Sequence, residues 1–385
     1  MVEAKSSIAL ILSSLNVGGS QKKFTNIANA LAARGRSVHL ISLGPPSVLL
    51  DKLDKETVSI FEVDRTSYFD HRAMARYRRY IVEHKLCAVL CVNEYPLIFH
   101  FSALLGAKLN TKIYASINTS SVQGLIPSSK FLLYRLILNS CDRVVFGCES
   151  ERSKWRKRIG RRSALDKTIV IHNGVDTAYF SFSLPAGHIA EIKSRNGVVA
   201  EEVVLGTVAQ FRREKGYEVL LRATRRLLDR GLPIRTVCVG DGPTRSEMEE
   251  LIRCLEIEHN VLLLGQLNDV RDAVAMFDIF VLPSVAGEVF SNAILEGMSM
   301  GRCVVVSDIG GAREMVTPGI NGYIVTPNDW ESLADCVEKI VRDQSWSVMG
   351  SQSRRLVEEK FTFDGMLNEY DALLFPQFAQ QVVDK

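Results

Sequence analysis

Two carboxylates eight positions apart, Glu288 and Glu296, stand in the segment FVLPSVAGEVFSNAILEGMSMGRCVVVSDIGG, from Phe280 to Gly311. A carboxylate in such a setting can accept both hydroxyls of a ribose or a sugar. The helix expected to begin near Ser291 offers its first N–H groups to a phosphate, so one short segment is able to hold a nucleotide sugar at both ends. Earlier in the chain, Arg212, Arg213 and Lys215 cluster between an apolar run and a helical one. Cations at a helix N-terminus oppose its dipole, and a bound pyrophosphate would explain them. A basic first turn exposed to water would read the same way. Near the N-terminus, Gly18-Gly19 lets the backbone approach a phosphate or sugar closely; a plain tight turn accounts for the pair equally well, and it falls short of the G-x-G-x-x-G dinucleotide fingerprint.

The elements that must position these residues alternate between strand and helix. Phe280 to Leu282 is a short apolar strand closed by Pro283. Ser291 to Met300 has helical spacing stopped by Gly301, and Cys303 to Ser307 is the next strand. If the loop enters the helix without a break, Glu288, Asn292 and Glu296 follow at four-residue steps along one edge. Further strands are expected at 8–13, 38–43, 87–92, 112–117, 143–148, 168–171, 203–209, 235–239 and 261–264, with helices between them. Such repetition predicts an α/β fold with parallel sheets. Ligands of open parallel sheets bind beyond the strands' carboxyl ends. Residues 180–200, with Pro185, Gly187 and Gly197 and little periodicity, read as a linker between two domains.

The run GEVFSNAILEGMSMGRCVVVSDIGGAREMV resembles the donor-binding signature of family 4 retaining glycosyltransferases, in which E-x-F-x(5)-E is followed by a helix, a Val-rich strand and G-G-x-x-E. Those positions are Glu288, Phe290, Glu296, Gly310, Gly311 and Glu314 here. Gly18-Gly19, Asn173-Gly-Val-Asp176, Glu214-Lys215-Gly216 and Gly240-Asp-Gly-Pro243 match in the family's order. The resemblance implies two Rossmann-like parallel-sheet domains facing a central cleft. The first, 1–180, would take the acceptor. The second, 200–360, would take the donor, and a terminal segment, 361–385, would carry a helix back to the first. It implies transfer of a hexosyl group from a UDP- or GDP-sugar to a glycan or lipid-linked acceptor, with no cofactor and no metal. Lys215 and Arg212 would neutralise the diphosphate, while Glu288 and the backbone of Val289, Phe290 and Ser291 would orient the sugar. Glu296 would hold the ribose and Gly265-Gln266 the base. The chain departs from the family at Asn118, where a histidine is usual, and at Gln210, where an arginine is usual. An amide there hydrogen-bonds but does not shuttle a proton. A sugar-nucleotide epimerase or a catalytically silent nucleotide-binding protein of the same fold are the rival readings.

With 385 residues and 46% apolar content the chain can bury two ordinary cores. The net charge of +3 conceals an asymmetry: residues 1–175 carry 26 Lys/Arg against 13 Asp/Glu, so +13, and the remainder 21 against 31, so −10. The first half is therefore expected to meet an anionic surface. Two basic runs, Arg72 to Arg79 and Arg152 to Arg162, with Trp155 inside the second, suit an anionic membrane. No nucleic-acid motif accompanies them. The eight cysteines form no C-x-x-C pair and are expected as reduced, buried thiols of a cytoplasmic protein.

Overall fold

The structure, a computed structural model, describes residues 7–16, 18–44, 48–67, 70–107, 110–118, 128–159, 167–181 and 186–379. The chain divides into two compact units: residues 1–172 with 366–385, and residues 173–365.

The first unit is a parallel sheet of seven strands in the order β3-β2-β1-β4-β5-β6-β7. These are β1 (Ser7–Leu12), β2 (Ser37–Ser42), β3 (Val58–Glu62), β4 (Ala88–Val92), β5 (Lys112–Ile117), β6 (Arg143–Phe146) and β7 (Thr168–Val170). The runs IALIL and AVLCV are buried along their whole length. Continuous apolar strands of this kind must be covered on both faces, which is why the sheet is parallel with helical crossovers. Helices α1 (Gly19–Ala33), α2 (His71–Glu83), α3 (Glu94–Ala103), α4 (Ser128–Ser140) and α5 (Glu149–Ile159) connect them. One core cluster joins Ile11, Tyr77, Val89, Phe99, Phe146 and Trp155.

The second unit has six parallel strands in the order β10-β9-β8-β11-β12-β13. They are β8 (Val203–Val208), β9 (Ile234–Val239), β10 (Val261–Gly265), β11 (Ile279–Leu282), β12 (Cys303–Ser307) and β13 (Gly322–Val325). Its helices are α6 (Ala186–Arg195), α7 (Tyr217–Asp229), α8 (Arg245–Cys254), α9 (Arg271–Met276), α10 (Asn292–Ser299), α11 (Ala312–Met315), α12 (Trp330–Arg342) and α13 (Trp346–Lys360). The expected linker is thus partly structured: residues 186–195 form α6, which packs on α9. Helix α14 (Phe363–Leu374) leaves the second unit and from Met366 onward belongs to the first. There the two carboxylate oxygens of Asp371 accept from Nε and Nη2 of Arg36 at 2.9 and 3.0 Å. Tyr370 is buried edge-on against Phe24.

Strands β3 and β13, not anticipated from the sequence, are both sheet edges. Their half-buried residues break the continuous apolar run that marks a central strand. None of the eight cysteines is in a disulfide; five are buried, while Cys254 is exposed.

Candidate active site

Strand order reverses direction once in each sheet, and this reversal opens a crevice at the strands' carboxyl ends. In the second unit it falls between β8 and β11. The loop after β8 carries Arg212, Glu214 and Lys215; the loop after β11 carries Ser284 and Glu288. Lys215 Nζ donates to Glu288 Oε1 at 2.6 Å, and Ser284 Oγ donates to the same oxygen at 2.9 Å. Two sequence-predicted residues 73 positions apart therefore meet, and Ser284, which had not been singled out, completes the contact.

Glycines hold these loops together. Gly216, with φ +72°, lies so close to the other loop that a Cβ would stand 1.9 Å from the Pro283 carbonyl oxygen. Val285 N returns a hydrogen bond to Glu214 O at 2.9 Å. Beneath Glu288, Gly310 has φ +58° and room for no Cβ against the Val289 and Glu288 carbonyls, while Gly311 N donates to Val289 O at 2.7 Å. The G-G-x-x-E motif is thus the floor on which Glu288 rests.

Helix α10 begins only at Asn292. Ser291 is its extended N-cap and makes no side-chain cap, so the four-residue stagger expected to start at Glu288 covers only Asn292 and Glu296. Glu296 is half-buried on the second turn. Gly297, next to it, lets the helix press on β11: a Cβ there would come within 2.6 Å of the Phe280 ring. Val289 and Phe290 are buried, with the Phe290 ring 5.2 Å from Phe361 and its carbonyl taking Asn173 Nδ2 at 2.6 Å. Gly174 of the same motif abuts Thr362, whose carbonyl oxygen would lie 2.2 Å from a Cβ. Asn173-Gly-Val-Asp176 is accordingly a packing motif that seats the 288–290 loop.

Arg212 is half-exposed and 3.7 Å from Glu214, and Arg213 reaches Glu247 at 3.1 Å. Both line a 460 Å³ cavity with Gly216, Tyr217, Thr244 and Val285, and neither Lys215 nor Glu288 borders it. Gly265 has φ +73° at the end of β10, and Gln266 is exposed beyond it. Among the described residues no group of three His, Cys, Asp or Glu side chains is arranged to hold a metal ion.

In the first unit the reversal falls between β1 and β4. Gly18 and Gly19 follow β1, with Gly18 extended and Gly19 starting α1. Asn93 follows β4 at φ +68° and ψ −175°, a strained backbone region that residues other than glycine rarely adopt. Its Oδ1 accepts Asn118 N at 2.9 Å. Asn118 is engaged on both ends of its amide, accepting from Lys23 Nζ at 2.9 Å and donating to Ser116 Oγ at 2.9 Å.

The basic runs are less uniform than the sequence suggested. Trp155, expected in a headgroup zone, is 3% exposed and packs on Tyr134 and Phe146. Arg152 and Lys154 pair with Glu149 and Glu151. The side chains of Lys157 and Arg158, with Arg161 and Arg162, lie outside the described residues. On α2, Arg76 is tied to the carbonyls of Val63 and Asp64, while Arg72 and Arg79 are exposed. No helix of the described residues is long and apolar enough to cross a membrane.

Residues 17–179 match the family described as Glycosyltransferase Family 4, and residues 188–360 match the glycosyl transferases group 1. The chain belongs to the family 4 type of glycosyltransferases. It is 23% identical over 382 residues, 94% of each chain, to the N-acetyl-alpha-D-glucosaminyl L-malate synthase of Bacillus anthracis. It is 27% identical over 198 residues, about half of each chain, to an Escherichia coli UDP-Gal:alpha-D-GlcNAc-diphosphoundecaprenol alpha-1,3-galactosyltransferase. Among solved structures, HepE of Anabaena in complex with UDP superposes with a TM-score of 0.83 at 19% identity, over 96% of this chain and 99% of the other, a likeness of fold.

Proposed function

We propose that this glycosyltransferase moves a hexosyl group from a UDP- or GDP-sugar to a glycan or lipid-linked acceptor, with retention of configuration and without a metal. The observation that carries the reading is the Lys215–Glu288 contact of 2.6 Å at the second unit's switch point. An ammonium has three donors. Lys215 can keep one on Glu288 and turn the others to the diphosphate, whose charge grows as the bond to the anomeric carbon breaks. A donor already fixed where charge develops stabilises that state most, and Arg212 adds a second cation on the same loop. Glu288, held by Lys215 and Ser284, suits a carboxylate that accepts sugar hydroxyls rather than one that attacks carbon. The acceptor oxygen then bonds to the anomeric carbon from the face the diphosphate leaves, and its proton passes to the departing phosphate oxygen. UDP in the HepE complex and in the name of the E. coli relative favours UDP as the first nucleotide to test.

Glu296 is proposed to accept the two ribose hydroxyls. Glu296→Gln keeps the size and loses charge and an acceptor, which lowers nucleotide affinity roughly 5- to 150-fold. The empty variant is expected to melt like the wild type and to gain much less from saturating UDP. A lower melting temperature when empty, with an unchanged gain from UDP, would remove Glu296 from the site. Release of UDP from UDP-hexose that depends on added acceptor separates a transferase from a silent nucleotide-binding protein.

A further inference from the structure

Arg65 stands on the loop that leaves β3, an edge of the first unit's sheet, yet its guanidinium lies 4.3 Å over the ring of Tyr95 in the first turn of α3. Strands β2 and β1 lie between β3 and β4. The loop and its side chain therefore span three strand spacings, roughly 14 Å, over the carboxyl ends of the sheet. They end beside the β1–β4 switch point, where ligands of open parallel sheets bind. The loop is held firmly in this reach. Arg76 of α2 donates Nη2 to the Val63 carbonyl and, at 2.9 Å, to the Asp64 carbonyl. Asp64 has φ +47°, a left-handed value that side chains seldom adopt and that recurs where a ligand is clamped. Beyond Arg65, Thr66 gives its N–H and its hydroxyl to Asp70 Oδ2 at 3.1 and 2.9 Å. The head of Arg65 is sparsely engaged by comparison. Its Nη1 gives one long bond, 3.4 Å, to the Ser67 carbonyl, its buried Nε has no hydrogen-bond partner, and among the described residues no carboxylate pairs with it. A guanidinium carries five donors in a planar fork, and a buried donor without an acceptor is both unfavourable and uncommon.

We infer that Arg65 binds an anionic group of the acceptor, a carboxylate or a phosphate, with the donors that no protein group takes, and that Tyr95 is the platform that orients it. This rests on the reading that the first unit takes the acceptor. A planar fork gives two parallel N–H···O bonds to either group, which a lysine ammonium does not. The tyrosine face attracts the cation and fixes its plane without spending any of its N–H groups. Stacking on a ring also leaves the charge of the guanidinium uncancelled, in contrast to Arg152 and Lys154 of the same unit, which are paired with Glu149 and Glu151.

The test is titration calorimetry on the full chain with saturating UDP present, so that the second unit's phosphate grip is filled. Glucose 6-phosphate, glucuronate and glucose are the probes: one ring carrying a phosphate, a carboxylate or no charge. At least one of the anionic hexoses is expected to bind about tenfold or more tightly than glucose, and which one does so distinguishes a phosphate acceptor from a carboxylate one. Arg65→Gln is expected to weaken that probe roughly 10- to 100-fold while UDP affinity stays unchanged. Arg65→Lys keeps the charge, loses the fork, and is expected to lose most of the same affinity. Anionic hexoses that bind no better than glucose while UDP binds, undiminished probe affinity in Arg65→Gln, or full affinity in Arg65→Lys would each overturn the assignment. Arg65-dependent hexose binding in a chain that does not bind UDP would instead sink the donor reading and leave this one standing. If Arg65→Gln does not fold, Arg65→Lys and Tyr95→Leu decide, each expected to weaken the anionic probe and to leave UDP affinity as it was.

Discussion

The two switch points are built on the same principle and filled with opposite chemistry. In the second unit a cation and a carboxylate face each other at 2.6 Å, with a hydroxyl on the same oxygen. In the first a buried cation faces an amide and a phenol. A half-buried ammonium that gives one hydrogen bond to Glu288 has further donors left for a ligand. Burial disfavours the charged ammonium and lowers the pKa of Lys23 to about 7. The difference is one of burial: a partly exposed lysine held on a carboxylate in the second unit, a deeply buried one in the first.

Breaking the fixed pair has the largest expected effect. Lys215→Ala is expected to lower transfer ~100- to 1000-fold and to cost roughly 1.5–3 kcal/mol of UDP binding. Glu288→Gln separates the two roles: UDP affinity rises, because the lysine loses its neutralising partner, while transfer falls. Titration calorimetry with UDP beside an acceptor-dependent UDP-release assay checks both signs. Equal losses of nucleotide affinity in the two variants would mean that the pair is structural.

The glycines sharpen the same contrast. Gly216→Ala forces a Cβ into the Pro283 carbonyl at a left-handed backbone position and is expected to destabilise the second unit by roughly 1–3 kcal/mol. Gly19→Ala has nothing within 4 Å of its new Cβ and is expected to change stability by less than about 0.5 kcal/mol. Urea unfolding of the two variants makes the comparison.

The buried cation leaves a mark on stability. Burial lowers the pKa of Lys23 in the folded chain to about 7, from its ordinary 10.5. Between those values the unfolded chain binds more protons than the folded one, so this residue's contribution makes stability rise with pH across that window and stay level below it. Lys23→Met is expected to flatten that rise and to be the more stable protein at pH 7 and below. A wild-type curve that falls over the same window, or a variant that keeps the slope, would contradict the buried charge.

The smallest expected effect lies at the surface. Exposed Arg72 and Arg79 favour weak binding to anionic vesicles, at ~1 kcal/mol per cation. Binding should vanish as salt shortens the Debye length from ~10 Å at 0.1 M to ~3 Å at 1 M. Co-sedimentation with neutral vesicles to the same extent would remove the electrostatic explanation.

Spacing along the chain was enough for the parallel α/β class, the strands of both sheet centres and the loops after β8 and β11, because buried parallel strands are continuous apolar runs punctuated by glycine and proline. It also singled out Lys215, Glu288 and Glu296 as chemical groups. What only the tertiary structure decided was who meets whom. The 2.6 Å contact joins residues 73 positions apart, and it exists because strand order brings β8 beside β11 and Gly216 lets their loops touch. Lys23 carried a legible signal, a cation on the apolar row of α1 with Ile27 and Leu31, yet its partners Asn118 and Tyr370 lie 95 and 347 positions away. Trp155 was misread for the converse reason. Its sequence neighbours are charged, but a helix turns each side chain about 100° from the last, and the turn that faces Tyr134 and Phe146 buries it. Local pattern reports which residues are able to act; burial and partnership are properties of pairs far apart in the chain, and folding alone sets them.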